Sequence, residues 1–466
     1  MNKTQKYDRI NQFIRKLEGF AELLILTIVY FFTWKGYYRE LETRAFLGRG
    51  KYVLMLLYFS LLLILFLLLE CFKFGHNKFP EIFISQWISL IIVNAFTYFI
   101  LCLIGNRMLN VWAIAVMTLI DFAIAFLLSY IFTIIYHKLH PPRQMLMIFG
   151  SEEAVDLKFK MDQRADKYHV ARIIDVSELV DMDYSAFKEY DGIIINDVSA
   201  ELRNDILKYC YNEKIRAYVV PKITDIILGG SEEITLFDTP LFLVRDAALS
   251  LSQRFVKRLL DLVLCFIALI PGSIIMGVVA LAIKLDDRGA VFYRQERVTL
   301  DGKIFNIIKF RSMIENAEEN GQVIPATGKD PRITRVGKVI RAMRLDEIPQ
   351  LFNIIKGDMS IVGPRPERVE HVKEYTAQIP EFAFRTKVKG GLTGYAQVYG
   401  KYNTTAYDKL RLDLLYIANY SITLDIKLII MTVLALFKKE STEGFDAIEE
   451  RESKRDELLN SFYEDS

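Results

Sequence analysis

The sequence predicts a membrane protein of mixed α and α/β class. Four transmembrane helices lead into a small Rossmann-like parallel α/β module, followed by an α/β domain entered through a re-entrant membrane helix. Three observations carry this expectation. Four apolar runs fill the chain up to His140. Beyond Gln144, short β-branched runs alternate with helical stretches. Further on, the apolar stretch Leu262–Ile283 has Pro271-Gly272 near its middle and basic residues at both ends.

Hydrophobic residues make up 52% of the 466 and are concentrated rather than spread. Gly19–Trp34, Tyr52–Phe72, Ile82–Ile104 and Val111–Ile135 each approach the ~20 residues that cross a bilayer core. They define a membrane region over residues 1–143, whose first span is the least apolar because of Glu18 and Glu22. Lys3, Lys6, Arg9, Arg15 and Lys16 precede it with no small-residue cleavage site, so no cleaved signal is expected. These cations favour a cytoplasmic N-terminus, whereas Lys35, Arg39, Arg44, Arg49 and Lys51 in the next loop favour the reverse. Cys71, Cys102, Cys210 and Cys265 have no CxxC spacing, which argues against a disulfide framework or a zinc site. His137 and His140 end a span, where interfacial seating suits them better than a metal. A net charge of +2 implies no nucleic-acid partner.

Residues 144–245 form the middle module. Met145–Phe149, Val170–Ile174, Gly192–Ile195 and Ala217–Val220 read as strands interleaved with helices such as Ala200–Tyr211. Its first turn, Gly150-Ser151-Glu152-Glu153, has one glycine and two acids. A dinucleotide site needs several glycines and no repelling charge there, so a structural or regulatory module fits better than an oxidoreductase.

Residues 250–440 form the last domain, with a membrane helix over 259–283, and a charged tail follows at 441–466. Proline removes a helical hydrogen bond and clashes with the preceding turn, so the helix is expected to kink or break at Pro271. A kinked spanning helix is one outcome. Arg254, Lys257, Arg258 and Lys284 at its two ends favour a helix that enters and leaves one membrane face. Asp425–Phe437 is apolar but short, as suits a helix lying on the membrane surface.

The most informative tract runs from Arg344-Leu-Asp-Glu-Ile-Pro-Gln350 to Gly363-Pro-Arg-Pro-Glu367. It places Asp346 and Glu347 at the mouth of a short helix, with Pro349 suited to the first turn and Gly357 to the stop. Outward N–H groups at a helix start suit a phosphate. Arg332, Arg335, Lys338, Arg341, Arg344 and Arg365 surround the pair in sequence. Taken alone, the two acids also fit an N-cap and a favourable first-turn charge.

Six ordered blocks widen the pattern: Val256-Lys-Arg-Leu-Leu-Asp261, Gly289-Ala-Val-Phe-Tyr-Arg-Gln295, Lys309-Phe-Arg-Ser-Met313, Leu345-Asp-Glu347, Gly363-Pro-Arg-Pro-Glu367 and Gly391-Leu-Thr-Gly-Tyr-Ala-Gln397. On these, residues 254 to 437 resemble the catalytic domain of bacterial polyprenyl-phosphate phosphoglycosyl transferases of the monotopic type. The whole chain resembles the large subgroup that initiates capsule or exopolysaccharide repeat units.

The resemblance implies a multi-pass enzyme of the bacterial cell membrane with its soluble domains on the cytoplasmic face. It would transfer hexose-1-phosphate, glucose before galactose, from a UDP-sugar to polyprenyl (undecaprenyl) phosphate and release UMP. It implies Asp346 as nucleophile, forming an aspartyl-phosphosugar intermediate, and Asp346 with Glu347 as the holders of Mg2+. Lys309, Arg311, Arg341 and Arg365 match family positions near the phosphate-binding region, while Glu367 would pair with Arg365 or contact nucleotide. Lys257, Arg258, Asp261 and Pro271 sit where the chain enters the membrane, the cations facing prenyl phosphate or ordinary anionic lipid. Asp413 matches a family acid of open role, with pairing on a helix surface the simpler reading. A homodimer and polysaccharide-assembly proteins complete the implied partners.

Some positions depart from the family pattern. Thr299 and Gly390 stand for a frequent glycine and proline, and Tyr395, Tyr399 and Lys401 for a frequent tryptophan, asparagine and arginine. These weaken any carry-over about nucleotide and sugar contacts in the 388–402 loop. The alternative to an enzyme is a membrane-anchored regulator or scaffold of polysaccharide assembly, which the intact acid pair opposes. A re-entrant helix keeps the middle and last domains on one side of the membrane. Impermeant labelling near Ser231 and near Ser441 is therefore expected from the same face, and opposite-face labelling would discard the re-entrant topology.

Overall fold

The computed structural model describes residues 3–41, 49–75, 77–151, 153–179, 183–245, 249–314, 330–400 and 404–436. Arg44, Glu152, Lys401 and the tail with Ser441 lie outside the described residues. The chain divides into two compact units, Met1–Tyr218 and Val219–Ser466.

Four helices open the first unit: α1 (Lys3–Tyr37), α2 (Gly50–Leu68), α3 (Phe79–Gly105) and α4 (Val111–Leu139). All four are long and apolar enough to cross a membrane, α1 over Leu17–Tyr37. Pro80 in the first turn of α3 fits a position with no N–H partner. Asn110 caps α4 by accepting from the Trp112 amide at 2.9 Å. Polar side chains join the helices internally. Gln86 donates to Glu22 (3.2 Å) and accepts from Ser129 (2.6 Å), while Asn94 donates to Asp121 (3.0 Å) and accepts from Tyr58 (3.0 Å). Such bonds hold membrane helices in register where the hydrophobic effect is weak.

The module follows as β1 (Arg143–Phe149), α5 (Glu153–Asp162), β2 (Tyr168–Asp175), β3 (Gly192–Asn196), α6 (Ala200–Glu213) and β4 (Arg216–Val219). The sheet order is β2-β1-β3-β4, with β1 parallel to both β2 and β3. A Cβ on Gly150 would overlap the Asp197 carbonyl, and the Gly150 amide donates to Asn196 (3.1 Å). The lone glycine of the first turn therefore lets two strand exits approach.

The second unit begins with α7 (Ile223–Gly229) and the antiparallel hairpin β5 (Glu232–Leu236) and β6 (Thr239–Leu243). The sequence assigned these residues to the middle module. Ile223 and Ile226 instead enter a core with Val362, Phe382, Leu410 and Leu414. A short helix after a strand carries no local mark of which core it will join.

Helix α8 (Leu251–Asp287) runs 37 residues and continues through Pro271 rather than breaking there. The Ser273 hydroxyl donates to the Ile270 carbonyl at 2.9 Å, giving the strained turn an extra bond. Lys257, Asp261, Cys265, Gly272, Met276, Val279 and Ile283 are its buried face. Leu259, Phe266, Ile270, Ile274, Val278 and Leu281 are exposed on the other.

Around it fold the hairpin β7 (Phe292–Val298) and β8 (Ile304–Phe310), α9 (Arg335–Ala342) and α10 (Gln350–Lys356). There follow β9 (Ser360–Val362), α11 (Val369–Gln378), β10 (Gly391–Thr393), α12 (Tyr395–Tyr399), α13 (Ala406–Ala418) and α14 (Ile422–Leu436). Strands β9 and β10 pair in parallel. Cys265 packs with Phe305, Ile307 and Ile354, and Met276, Val279 and Ile283 with Phe310 and Ile340.

The entry residues of α8 have partners within this unit. Lys257 donates to Asp425 on α14 at 2.6 Å and to the Tyr416 hydroxyl at 3.2 Å, and both charges are buried. Arg258 donates to the Ile354 and Ile355 carbonyls (2.5 and 2.6 Å), closing the end of α10. Asp261 accepts from the Ser360 hydroxyl (3.1 Å) and the Ile361 amide (3.0 Å). Lys257 and Arg258, the cations expected to face prenyl phosphate or lipid, thus fasten α8 to the domain together with Asp261. Asp425→Asn would leave the Lys257 ammonium buried without its carboxylate, costing about 3–5 kcal/mol. A clear fall in thermal unfolding temperature is expected, partly recovered when Lys257→Met is added. Unchanged unfolding of Asp425→Asn would remove this latch from the account.

Candidate active site

The acid pair sits on a turn made by three local devices. Thr334 caps α9 by accepting from the Gly337 amide (2.9 Å). Arg344 then takes the left-handed conformation (φ 56°), at roughly 1–2 kcal/mol for a non-glycine residue, and reverses the chain. A single 3₁₀ turn, Leu345–Glu347, carries both acids before Pro349 starts α10. As the sequence predicts, Gly357 ends α10 with a positive φ of 98°. Asn353 stitches α10 to β8, accepting from the Ile308 amide (2.9 Å) and donating to the Asn306 carbonyl (2.8 Å). That seam sets Lys309 opposite the turn.

The Gly363-Pro-Arg-Pro-Glu367 loop approaches from the far side. The Gly363 amide donates to Thr393 (2.8 Å) and the Gly391 amide to Pro364 (2.9 Å). A Cβ on Gly363 would overlap the Lys389 carbonyl, so only glycine permits this approach. Pro364 and Pro366 fix φ on either side of Arg365. The Pro366 carbonyl accepts from Arg297 (3.1 Å).

Glu347 Oε1 accepts from both Lys309 Nζ (3.1 Å) and Arg365 Nη2 (2.6 Å). Burial alone would raise its pKa, but Arg365 and Lys309 outweigh it and hold the carboxyl well below the usual range. Asp346 is half-buried and makes no hydrogen bond or ion pair among the described residues. Burial and the neighbouring Glu347 raise its pKa against Lys309, Arg341 and Arg344. One acid is locked as an anion and the other is unengaged.

Behind the loop lies a second buried ion network that the sequence did not reveal. Glu367 accepts from Lys409 Nζ (2.9 Å) and lies 3.7 Å from Arg385. Glu367 therefore pairs with Lys409 and Arg385 rather than with Arg365. Burial would raise its pKa, yet Lys409 and Arg385 lower it to about 2. Asp413 is fully buried and accepts from Arg385 Nε (3.0 Å) and Nη2 (2.6 Å), not from a helix-surface partner. Arg311 also leaves the site: its buried guanidinium bonds the Asp287 carboxylate and the Ala290 carbonyl (2.6 Å for the latter), anchoring the end of α8. Arg332 pairs with Asp330, while Arg335 and Lys338 are exposed. Pro271 does not touch the acids, but a Cβ on the adjacent Gly272 would meet Ile348 and Leu351 at 3.8 and 3.9 Å. The middle of α8 thus lies beneath the turn.

The donor set suits a hard cation. Both Asp346 oxygens and Glu347 Oε2 are uncommitted, and no group of three or more metal-ligating side chains occurs among the described residues. A cation here would keep most of its shell as water and phosphate oxygen, which fits Mg2+.

Two departures from the family pattern touch each other. Thr299 Oγ1 accepts from the Gly390 amide (3.0 Å) and donates to the Asp358 carbonyl (3.0 Å). A proline at 390 would have no N–H to give.

Fold and site together define a membrane-associated α/β domain that holds an acid pair beside Lys309 and Arg365. Residues 252–439 match the bacterial sugar transferase family. The chain is 32% identical over 327 residues to the UDP-N-acetylgalactosamine-undecaprenyl-phosphate N-acetylgalactosaminephosphotransferase of Aeromonas hydrophila, covering 67% of this chain and 71% of that protein. The chain belongs to this family. It is also 36% identical over 267 residues to the UDP-glucose:undecaprenyl-phosphate glucose-1-phosphate transferase of Klebsiella pneumoniae, covering 56% of each chain. For the protein of that name in Escherichia coli K12 the identity is 40% over 216 residues, covering 45% of this chain and 44% of that one. The chain thus spans about half the length of these two relatives.

The ordinary pKa of 4.5 for Glu367 falls to about 2 in the folded protein. Its contribution, on the order of 3 kcal/mol, is therefore complete above the higher value and is lost as pH falls toward the lower. Thermal unfolding followed across that acid window should show the decline, and Glu367→Gln should make it shallower, with the remainder carried by Glu347. An identical decline in the variant would assign the acid sensitivity elsewhere.

Proposed function

We propose that this protein transfers hexose-1-phosphate, glucose in first place, from a UDP-sugar to polyprenyl (undecaprenyl) phosphate, releasing UMP and starting a capsular or exopolysaccharide repeat unit. The observation that carries the reading is the unengaged Asp346 beside a cation-locked Glu347. A carboxylate oxygen of Asp346 attacks the sugar-bearing phosphorus, and the phosphoanhydride bond breaks with its electron pair leaving on UMP. The resulting aspartyl-phosphosugar splits one hard displacement into two easier ones. An oxygen of polyprenyl phosphate then attacks the same phosphorus, the bond to Asp346 breaks, and polyprenyl-diphosphate-sugar leaves.

Lys309, Arg341 and Arg365 screen the repulsion between two anionic substrates, with Arg365 offering a planar fork to phosphate. Mg2+, held by Asp346 and Glu347 Oε2, would neutralise charge on the diphosphate. The Klebsiella and Escherichia relatives are glucose-1-phosphate transferases and the Aeromonas relative an N-acetylgalactosaminephosphotransferase, which favours glucose; galactose is the alternative for this chain.

The seating of α8 supports access to a lipid substrate from one leaflet. At 1.5 Å per residue a 37-residue helix measures about 55 Å, well beyond a ~30 Å hydrocarbon core. Its buried face contacts the domain from Lys257 to Ile283, so an upright crossing would carry the charged site into hydrocarbon. We place the helix in one leaflet on the cytoplasmic side, apolar face down, with the acid pair above its middle.

Incubating the protein with UDP-glucose alone should release UMP and leave one peptide carrying hexose phosphate on Asp346. Asp346→Asn should abolish both, by roughly 10³-fold or more in rate. UMP release by the Asn variant at the parent rate would refute the covalent route, and no release with any UDP-hexose would refute the activity.

A further inference from the structure

We propose that Asp413 and Arg385 are positioning residues for the transferase site, acting through the backbone of Arg365. The inference rests on the transferase reading and adds to it how the anion-binding arginine is held. Arg385 Nη2 donates to the Arg365 carbonyl at 3.0 Å, while the same nitrogen and Nε clasp Asp413 Oδ2 at 2.6 and 3.0 Å. The guanidinium also stacks on Phe382, 4.8 Å from the ring centre. One planar group thus joins a carboxylate on α13, an aromatic ring and the carbonyl of the residue whose side chain holds Glu347.

Burial makes this chain of contacts rigid. Arg385 is 5% exposed and Asp413 1%, so neither exchanges its partner for water. Burial raises the pKa of Asp413, and Arg385 opposes that, so each charge justifies the other. Asp413 Oδ1 is buried without a partner, which leaves the whole interaction on Oδ2 and fixes the rotation of the guanidinium. Glu367, at 3.7 Å, is the alternative claimant on Arg385. Without the Asp413 charge, Arg385 is drawn toward Glu367 and away from the Arg365 carbonyl. The loop then loosens, Arg365 releases Glu347, and the second carboxylate competes with Asp346 for the cationic pocket. Misplacing a positioning group by about 1 Å can cost 100-fold in rate.

The test uses the full chain in lipid nanodiscs that contain polyprenyl phosphate, with steady-state UMP release from the UDP-hexose that the parent turns over as the readout. Asp413→Asn keeps shape and removes charge, and Arg385→Lys keeps charge and removes the fork. Each should lower kcat by roughly 10- to 100-fold while KM for the donor moves less than about threefold. Asp413→Glu should recover part of kcat. Thermal unfolding of each variant checks folding. Folded variants with parental kcat, or a loss confined to KM, would overturn the proposal. So would failure of all three to fold beside a folded, active Phe382→Leu, since the cluster would then serve the fold alone. A parent protein that releases no UMP from any UDP-hexose would sink the transferase reading instead, and that outcome is read before any variant is compared.

Discussion

The structure turns on the grip of Lys309 and Arg365 on one oxygen of Glu347. Two adjacent carboxylates in a partly buried turn repel, and left alone both would tend toward neutrality. Two cations on Glu347 break that symmetry. The grip needs three parts of the chain that are far apart in sequence: Lys309 is 38 residues from Glu347, and Arg365 is 18. The Asn353 seam between α10 and β8 brings in the first, and the glycine-lined β9–β10 approach brings in the second. Much of the second unit is scaffolding for that meeting.

Helix α8 is the base on which this scaffold stands. Its buried face uses charge at its start, through Lys257, Arg258 and Asp261, and apolar contact beyond, through Cys265 to Ile283. Its opposite face stays apolar and uncovered. If the helix lies in one leaflet as proposed, packing the domain's core on one side and facing lipid on the other would tie the height of the site to the membrane surface.

The long apolar helices, the parallel module and the short helix between Pro349 and Gly357 were legible because each rests on local pattern: apolar length, strand–helix alternation, a proline start and a glycine stop. The acid pair was legible as a motif, whereas Lys309 and Arg365 were read as phosphate ligands and their grip on Glu347 was not foreseen. What failed was the reading of charges whose partners lie elsewhere. Arg311 reads like a phosphate ligand until Asp287, 24 residues earlier, claims it. Asp413 reads like a surface acid until Arg385, 28 residues earlier, takes it into the core. Lys257, at a membrane entry, suggests a lipid contact, but Asp425, 168 residues on, buries it. Local sequence records that a charge exists; only the fold decides which opposite charge can reach it. The continuity of α8 through Pro271 belongs to the same lesson, since Ser273 and a long packed face support a turn that proline alone would weaken.

The division of labour between the acids also resolves a conflict built into such chemistry. Anionic substrates require many cations, yet cations lower the pKa of a carboxylate and make it a poorer nucleophile. Glu347 holds Lys309 and Arg365 at close range, and its own negative charge opposes their effect on Asp346. Burial and the anionic Glu347 then raise the pKa of Asp346 against Lys309, Arg341 and Arg344. The pocket can be attractive to phosphate and still hold a basic oxygen, but only while Glu347 stays ionised and fixed. On the proposed mechanism, the buried charges behind Arg365 would matter to the chemistry, because Arg385 bonds the Arg365 carbonyl and Arg365 bonds Glu347.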